Sequence, residues 1–227
     1  SDPLDREVNV SSTFQSESMF RALSLNKITE LPALRGMVVF QGLLTAGMVG
    51  EMNNVCWWKG VTCVCDKVRT IRWIHPINLQ YLELAWIPHT TQEIKLTHLQ
   101  KVRKTPLDTR MLPRELQSLS IESCRWGGSL DMTTLPQYLE TLISSQNMLH
   151  GEIRLTNLPK TLQTVRITHS WTGTIIVDNS ALPEKFDKMV CIHTEKIRAK
   201  EIHGKRIDSR IQVYRLDTSR SRMDQVK

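Results

Sequence analysis

The sequence predicts an α/β solenoid: a parallel concave sheet of about six short strands, an irregular convex side and a helical N-terminal cap. Three observations carry that expectation. A Leu-Pro dipeptide recurs at Leu112-Pro113, Leu135-Pro136, Leu158-Pro159 and Leu182-Pro183, at spacings of 23, 23 and 24 residues. Within each unit apolar residues alternate with period two, which marks a short strand with one buried face. Ahead of the units, one segment places apolar residues at helical spacing and a second is a charge-free apolar stretch too short to span a membrane.

The totals suit such a chain. Its 227 residues are 40% hydrophobic and 23% charged, with ten Gly and nine Pro, which excludes a disordered or collagen-like protein. The net charge is +7, and the last 30 residues, 198–227, hold nine Lys and Arg against four Asp and Glu. An excess of that sign points to an acidic partner: nucleic acid, an anionic membrane or an acidic protein surface.

Residues 1–66 are expected to form the cap. SDPLDREVNV has no apolar core, so it is not itself a secretory signal. In SSTFQSESMFRAL, Ser12 with Gln15 three residues later is a helix-start pattern, and Met19, Phe20 and Leu23 follow at helical spacing. The most apolar stretch is LPALRGMVVFQGLLTAGMVG, residues 31–50. Its charge-free part, 36–50, falls short of the roughly 20 residues a spanning helix needs, and four Gly interrupt the stretch. No transmembrane segment is expected; 37–49 reads as a helix buried against the first repeat.

Residues 67–195 are expected to hold the repeats. A first strand lies in VRTIRW, 68–73. LQYLELAW supplies Leu79, Leu82 and Leu84, EIKLTHL (93–99) echoes EIRLTNL (152–158), and QKVRKTPLDTR reads as a looped-out unit. From Leu112 onward the pattern is regular. Four residues after each Leu stand Leu116, Leu139, Leu162 and Phe186; seven after, Leu119, Leu142, Val165 and Met189; nine after, Ile121, Ser144, Ile167 and Cys191. Twelve after come Cys124, Asn147, Ser170 and Thr194, side chains able to hydrogen-bond backbone groups where the chain turns. GGSL, HGEI and TGTI then end on Leu130, Ile153 and Ile175. In 196–227, RIQVYRL (210–216) reads as a closing strand, and the polar chain beyond Asp217 is expected to fray.

The pattern L-x-x-L-x-L-x-x-N/C followed by x-L-x-G-x-I resembles the leucine-rich repeat, and NMLHGEI (147–153) is close to its plant-type subclass, which also occurs in protists. CWWKGVTC, 56–63, carries a second resemblance, to the C-x-W-x-G-V-x-C that closes the N-terminal cap of such proteins. The resemblance implies a disulfide between Cys56 and Cys63. Cys65 departs from the pattern and leaves Cys56–Cys65 open as an alternative pairing. The resemblance spans roughly residues 56–195 and implies a binding protein, often a receptor ectodomain or a secreted inhibitor of foreign enzymes.

Chemistry is sparse by comparison. Seven His show no H-E-x-x-H spacing. Cys56, Cys63, Cys65 and His75 are zinc-ligating types at poor spacing. G-x-S-x-G, Walker and dinucleotide motifs are absent, and RWGGSL is a repeat turn. No catalytic activity, cofactor or metal is expected. Cys124 reads as a turn residue, not a nucleophile.

Binding would then fall to residues flanking the inward strand positions: Tyr81 and Glu83; Ser118, Ser120 and Glu122; Thr141, Ile143 and Ser145; Thr164, Arg166 and Thr168; Lys188 and Val190. Trp126 and Trp171, just past the turn position, are candidate anchors if exposed. With the sequon Asn9-Val10-Ser11 as a glycosylation site, the leading expectation is a secreted or cell-surface module that binds another protein. The alternative is an intracellular or organellar scaffold subunit whose basic residues 198–227 contact RNA or an acidic partner.

Overall fold

A computed structural model describes residues 54–74, 82, 84–99, 106–169, 171–193, 198–217 and 222–225. The strands, in chain order, are β1 (Val61–Val64), β2 (Lys67–Ile74), β3 (Glu93–Thr97), β4 (Ser118–Glu122), β5 (Gly127–Gly128), β6 (Thr141–Ser145) and β7 (Met148–Leu155). They continue as β8 (Thr164–Thr168), β9 (Trp171–Val177), β10 (Lys188–His193), β11 (Arg198–Glu201), β12 (Ile211–Asp217) and β13 (Arg222–Gln225). They form a nine-stranded sheet, ordered β1-β2-β3-β4-β6-β8-β10-β12-β13, and a four-stranded sheet, ordered β11-β9-β7-β5. From β2 to β12 every pairing in the larger sheet is parallel, while β1 and β13 add antiparallel strands at its two edges. The chain is thus a repeat-built β-solenoid of about five turns.

This corrects the expected α/β class. Among the described residues there is no α-helix, only three-residue 3-10 turns such as Thr109–Met111, Met132–Thr134 and Asn179–Ala181. The reason is length. A unit of 23 residues spends five on β6 and eight on β7, which leaves only turns. Each Pro after Leu also removes a donor and holds the preceding residue extended. The convex side is correspondingly regular: its Gly, Thr and Ile residues pair as the second parallel sheet.

The helical N-terminal cap is corrected too. The described residues next to the first coil form a 3-10 turn, Val55–Trp57, and the β1–β2 hairpin, with Cys56 and Cys63 joined in a disulfide. The helices expected at 12–23 and 37–49 lie outside the described residues, as does Asn9. The described residues contain no helix long and apolar enough to cross a membrane. Gly60 explains one constraint of the CWWKGVTC motif. Its φ is +80°, and a Cβ there would lie 2.2 Å from the Arg72 carbonyl oxygen.

The core is two columns of side chains running through the larger sheet. Ile94, Leu119, Leu142, Val165, Met189 and Ile211 align in one; Leu96, Ile121, Ser144, Ile167, Cys191 and Val213 align in the other. All are buried. Each fully buried aliphatic side chain is worth about 1.5–3 kcal/mol, and alignment gives each one from β3 to β10 a neighbour above and below. Ser144 breaks the apolar series, and its hydroxyl accepts a hydrogen bond from Asn147 Nδ2 at 3.1 Å.

Asn147 sits at the turn position and its amide ties two coils together. Nδ2 also donates to the carbonyls of Ile121 (3.0 Å) and Ser145 (3.1 Å), while Oδ1 accepts from the N–H groups of Cys124 (3.2 Å) and Trp126 (3.3 Å). Cys124 does the same work one coil earlier, its thiol donating toward the carbonyls of Leu96 and Glu122. Ser170 and Thr194 lie outside the described residues. Replacing Asn147 by Ala strands several buried backbone groups, each at about 1–3 kcal/mol. Asn147→Ala should therefore lower unfolding free energy by about 3 kcal/mol in urea titration, more than a Leu142→Val change of similar burial.

Candidate functional site

The in-register pairing that stacks the core also aligns the outward positions of the concave sheet. Across β3, β4, β6, β8 and β10, one row reads Glu93, Ser118, Thr141, Thr164 and Lys188. The next reads Lys95, Ser120, Ile143, Arg166 and Val190, and the third Thr97, Glu122, Ser145, Thr168 and Ile192. The sequence-derived face from Ser118 to Val190 is thus one contiguous surface. Tyr81 and Glu83 lie outside the described residues.

Within that surface some groups are occupied and others are not. The Thr168 hydroxyl donates to Ser145 Oγ at 2.9 Å, and Ser120 Oγ to Glu122 Oε1 at 3.1 Å. Ser120 itself is buried, so it offers little to a ligand. At the N-terminal side Arg72 grips Glu93 with two hydrogen bonds of 2.8 Å, which hold the Glu93 carboxyl below its ordinary range and raise the guanidinium. Arg166 is exposed and has no ion-pair partner among the described residues, whereas Lys188 lies 3.6 Å from Asp187. Thr141, Ile143 and Thr164 stand half-exposed between them.

Trp126 and Trp171 are not part of this surface. Each is 1% exposed and packs in the core, so neither can anchor a partner. Trp171 lies under the close approach of two coils, where a Cβ on Gly173 would come within 1.7 Å of the Gly151 carbonyl oxygen and 2.9 Å of the Trp171 ring. The Trp171 indole thus packs against the one Gly–Gly approach between coils among the described residues. Position just past a turn could not distinguish that packing from exposure.

Two further sets of polar residues escaped sequence reading. Asp108, Asp131 and Asp178 stand four residues before a Leu-Pro, and each accepts a hydrogen bond of 2.9–3.0 Å from the N–H two residues on. The hydroxyls of Thr133 and Ser180 draw the Asp131 and Asp178 carboxyls below the usual range. The recurrence of Asp before the Leu-Pro was the available signal. The second set is Asp178, Glu201 and His203, whose ligand atoms lie within 4.8 Å of one another. Glu201 already accepts the N–H groups of His203 (2.7 Å) and Lys205 (2.9 Å), which closes the turn that follows β11.

Cys56 and Cys63 are consumed in their disulfide, and His75 lies outside the described residues. Burial pushes the Cys124 thiol up to about 11 and the Cys191 thiol to about 12. Both therefore stay protonated at neutral pH and are poor nucleophiles. Comparison with known proteins finds no match of any kind: no protein family, no curated protein and no solved structure corresponds to the chain.

The thiols make a direct check. Iodoacetamide at pH 8 should modify exposed Cys65 in the folded protein and leave Cys124 and Cys191 unlabelled, with both becoming reactive only in denaturant. Peptide mass mapping reads the outcome, and rapid native labelling of Cys124 would contradict its place in the core.

Proposed function

We propose that the chain is a non-enzymatic binding module of the leucine-rich-repeat kind, secreted or displayed at a cell surface, which recognises another protein through its concave face. One observation carries this. Inward positions of successive coils are almost uniformly apolar, whereas the central outward row changes from Lys95 to Ser120, Ile143, Arg166 and Val190. Stacking dictates the inward row and imposes nothing on the outward one, so its chemistry is free to match a partner. A parallel sheet with small hydroxyls around a half-exposed Ile and a free Arg suits a protein surface, where an apolar contact is ringed by polar ones.

The secreted reading rests on the Cys56–Cys63 bridge, since such bonds persist in oxidising compartments. Intact, non-reduced mass spectrometry of protein from its native source should show one disulfide and three free thiols. Five alkylatable thiols would sink the secreted assignment and favour the intracellular scaffold.

For the face itself, Arg166→Glu with Lys188→Glu should leave the thermal midpoint unchanged within about 2 °C, because both side chains are solvent-facing. The same change should reduce capture of the native partner by at least about tenfold in a quantitative co-purification. Retention of every partner by this variant would rule the concave face out.

A further inference from the structure

The two ends of the solenoid are built differently. At the C-terminal end the apolar columns of the convex sheet stop abruptly. Ile153 and Ile175 are followed in register by Ala199, and Leu155 and Val177 by Glu201. The Glu201 carboxylate bends into its own turn, where it accepts the N–H groups of His203 and Lys205. Removing two large aliphatic groups from the last layer leaves a cleft of about 890 Å³ between β11, the turn through Gly204–Ser209 and β12. Its apolar wall is Ala199, Ile207, Ile211 and Val213; Lys200, Lys205 and Arg206 stand exposed around it.

The backbone beside that cleft is also open. The larger sheet ends in β13, which runs antiparallel to β12. The smaller sheet ends at β11, and no strand pairs with its outer edge among the described residues. A second solenoid end could not stack here, because its concave strand would meet β13 where a parallel partner is needed. A single extended segment could, since an unpaired strand edge presents a row of N–H and C=O groups to any incoming strand.

The alternation of β11 then specifies the side chains of that segment. Arg198 and Lys200 point to solvent, while Ala199 and Glu201 point inward. A strand added at this edge would place alternate residues over the cleft and the others beside the two exposed cations. Asp208, the remaining acidic group of the turn, is already paired with Arg210 at 2.9 Å, so the rim is positive. We propose that β11 and the adjoining cleft form a second binding site, which takes an extended protein segment of alternating apolar and acidic residues by strand addition. The site is separate from the concave face and does not depend on what that face binds.

The test uses the full chain and a fluorescein-labelled peptide of about eight alternating valines and glutamates, followed by fluorescence anisotropy. Three comparisons give the proposal its content. Lys200→Glu with Arg206→Glu, both exposed, should weaken binding by at least about tenfold. The same peptide N-methylated at alternate residues, which removes its ladder donors, should bind wild-type protein at least about tenfold more weakly. Ala199→Phe, which fills the cleft, should do likewise, and the N-methylated peptide covers the case in which that variant fails to fold. No binding of the alternating peptide at about 1 mM overturns the proposal. So does polyglutamate or poly(U) RNA binding as tightly as the peptide, for then the site is a general polyanion surface and not a strand-addition site.

Discussion

The structure depends on one constraint: no coil of this chain can bury its own apolar face, so each must lie in register on the next. A slip of one residue in β4 would turn Ser118 and Ser120 inward and Leu119 outward. Register is secured at the corners as well as along the strands. His98, Ser123, Gln146 and His169 occupy equivalent corner positions with φ between 50° and 59°. The N–H of each reaches the next coil, bonding to the carbonyls of Glu122, Ser145, Thr168 and Ile192 at 2.8–2.9 Å. Hydrogen bonding between coils therefore continues where the strands end, and Asn147 adds its side-chain amide at the same level.

Stacking solves the middle of the molecule and leaves two ends. The N-terminal end of the described chain is held by a hairpin, a disulfide and Trp73, whose indole N–H donates to the Lys59 carbonyl at 3.1 Å. The C-terminal end is finished by substitution: small Ala199 and turned-in Glu201 replace the aliphatic residues of earlier coils. The first strategy covers apolar surface and the second avoids having it. Among the described residues the second places a cleft beside an unpaired strand edge.

The same register separates structural from available chemistry. Thiols at Cys124 and Cys191 lie in the inward columns or at a buried turn, where desolvation keeps them protonated. Arg166, Lys188 and Ile143 occupy outward positions that the stack does not use. A solenoid thus offers an aligned surface whose composition can vary without disturbing the core.

The repeat, the inward columns and the turn role of Cys124 and Asn147 were legible in the sequence because each is a local pattern with a fixed spacing. The outward face was legible for the same reason, since alternation places it once the strands are known. The α/β class was misjudged because a 23-residue period does not by itself say whether the return side of each coil is irregular, helical or a second strand, whereas here it pairs as a parallel sheet. Trp126 and Trp171 were misjudged because exposure depends on neighbouring coils: both indoles are buried, and Trp171 lies against Gly173, which itself closes on Gly151 of the preceding coil. What the sequence determined by itself was the period, and through it which residues of each coil face in and which face out. What only the tertiary structure decided was how the smaller sheet ends, because among the described residues β12 continues the larger sheet beyond β10 while no strand continues the smaller one beyond β11.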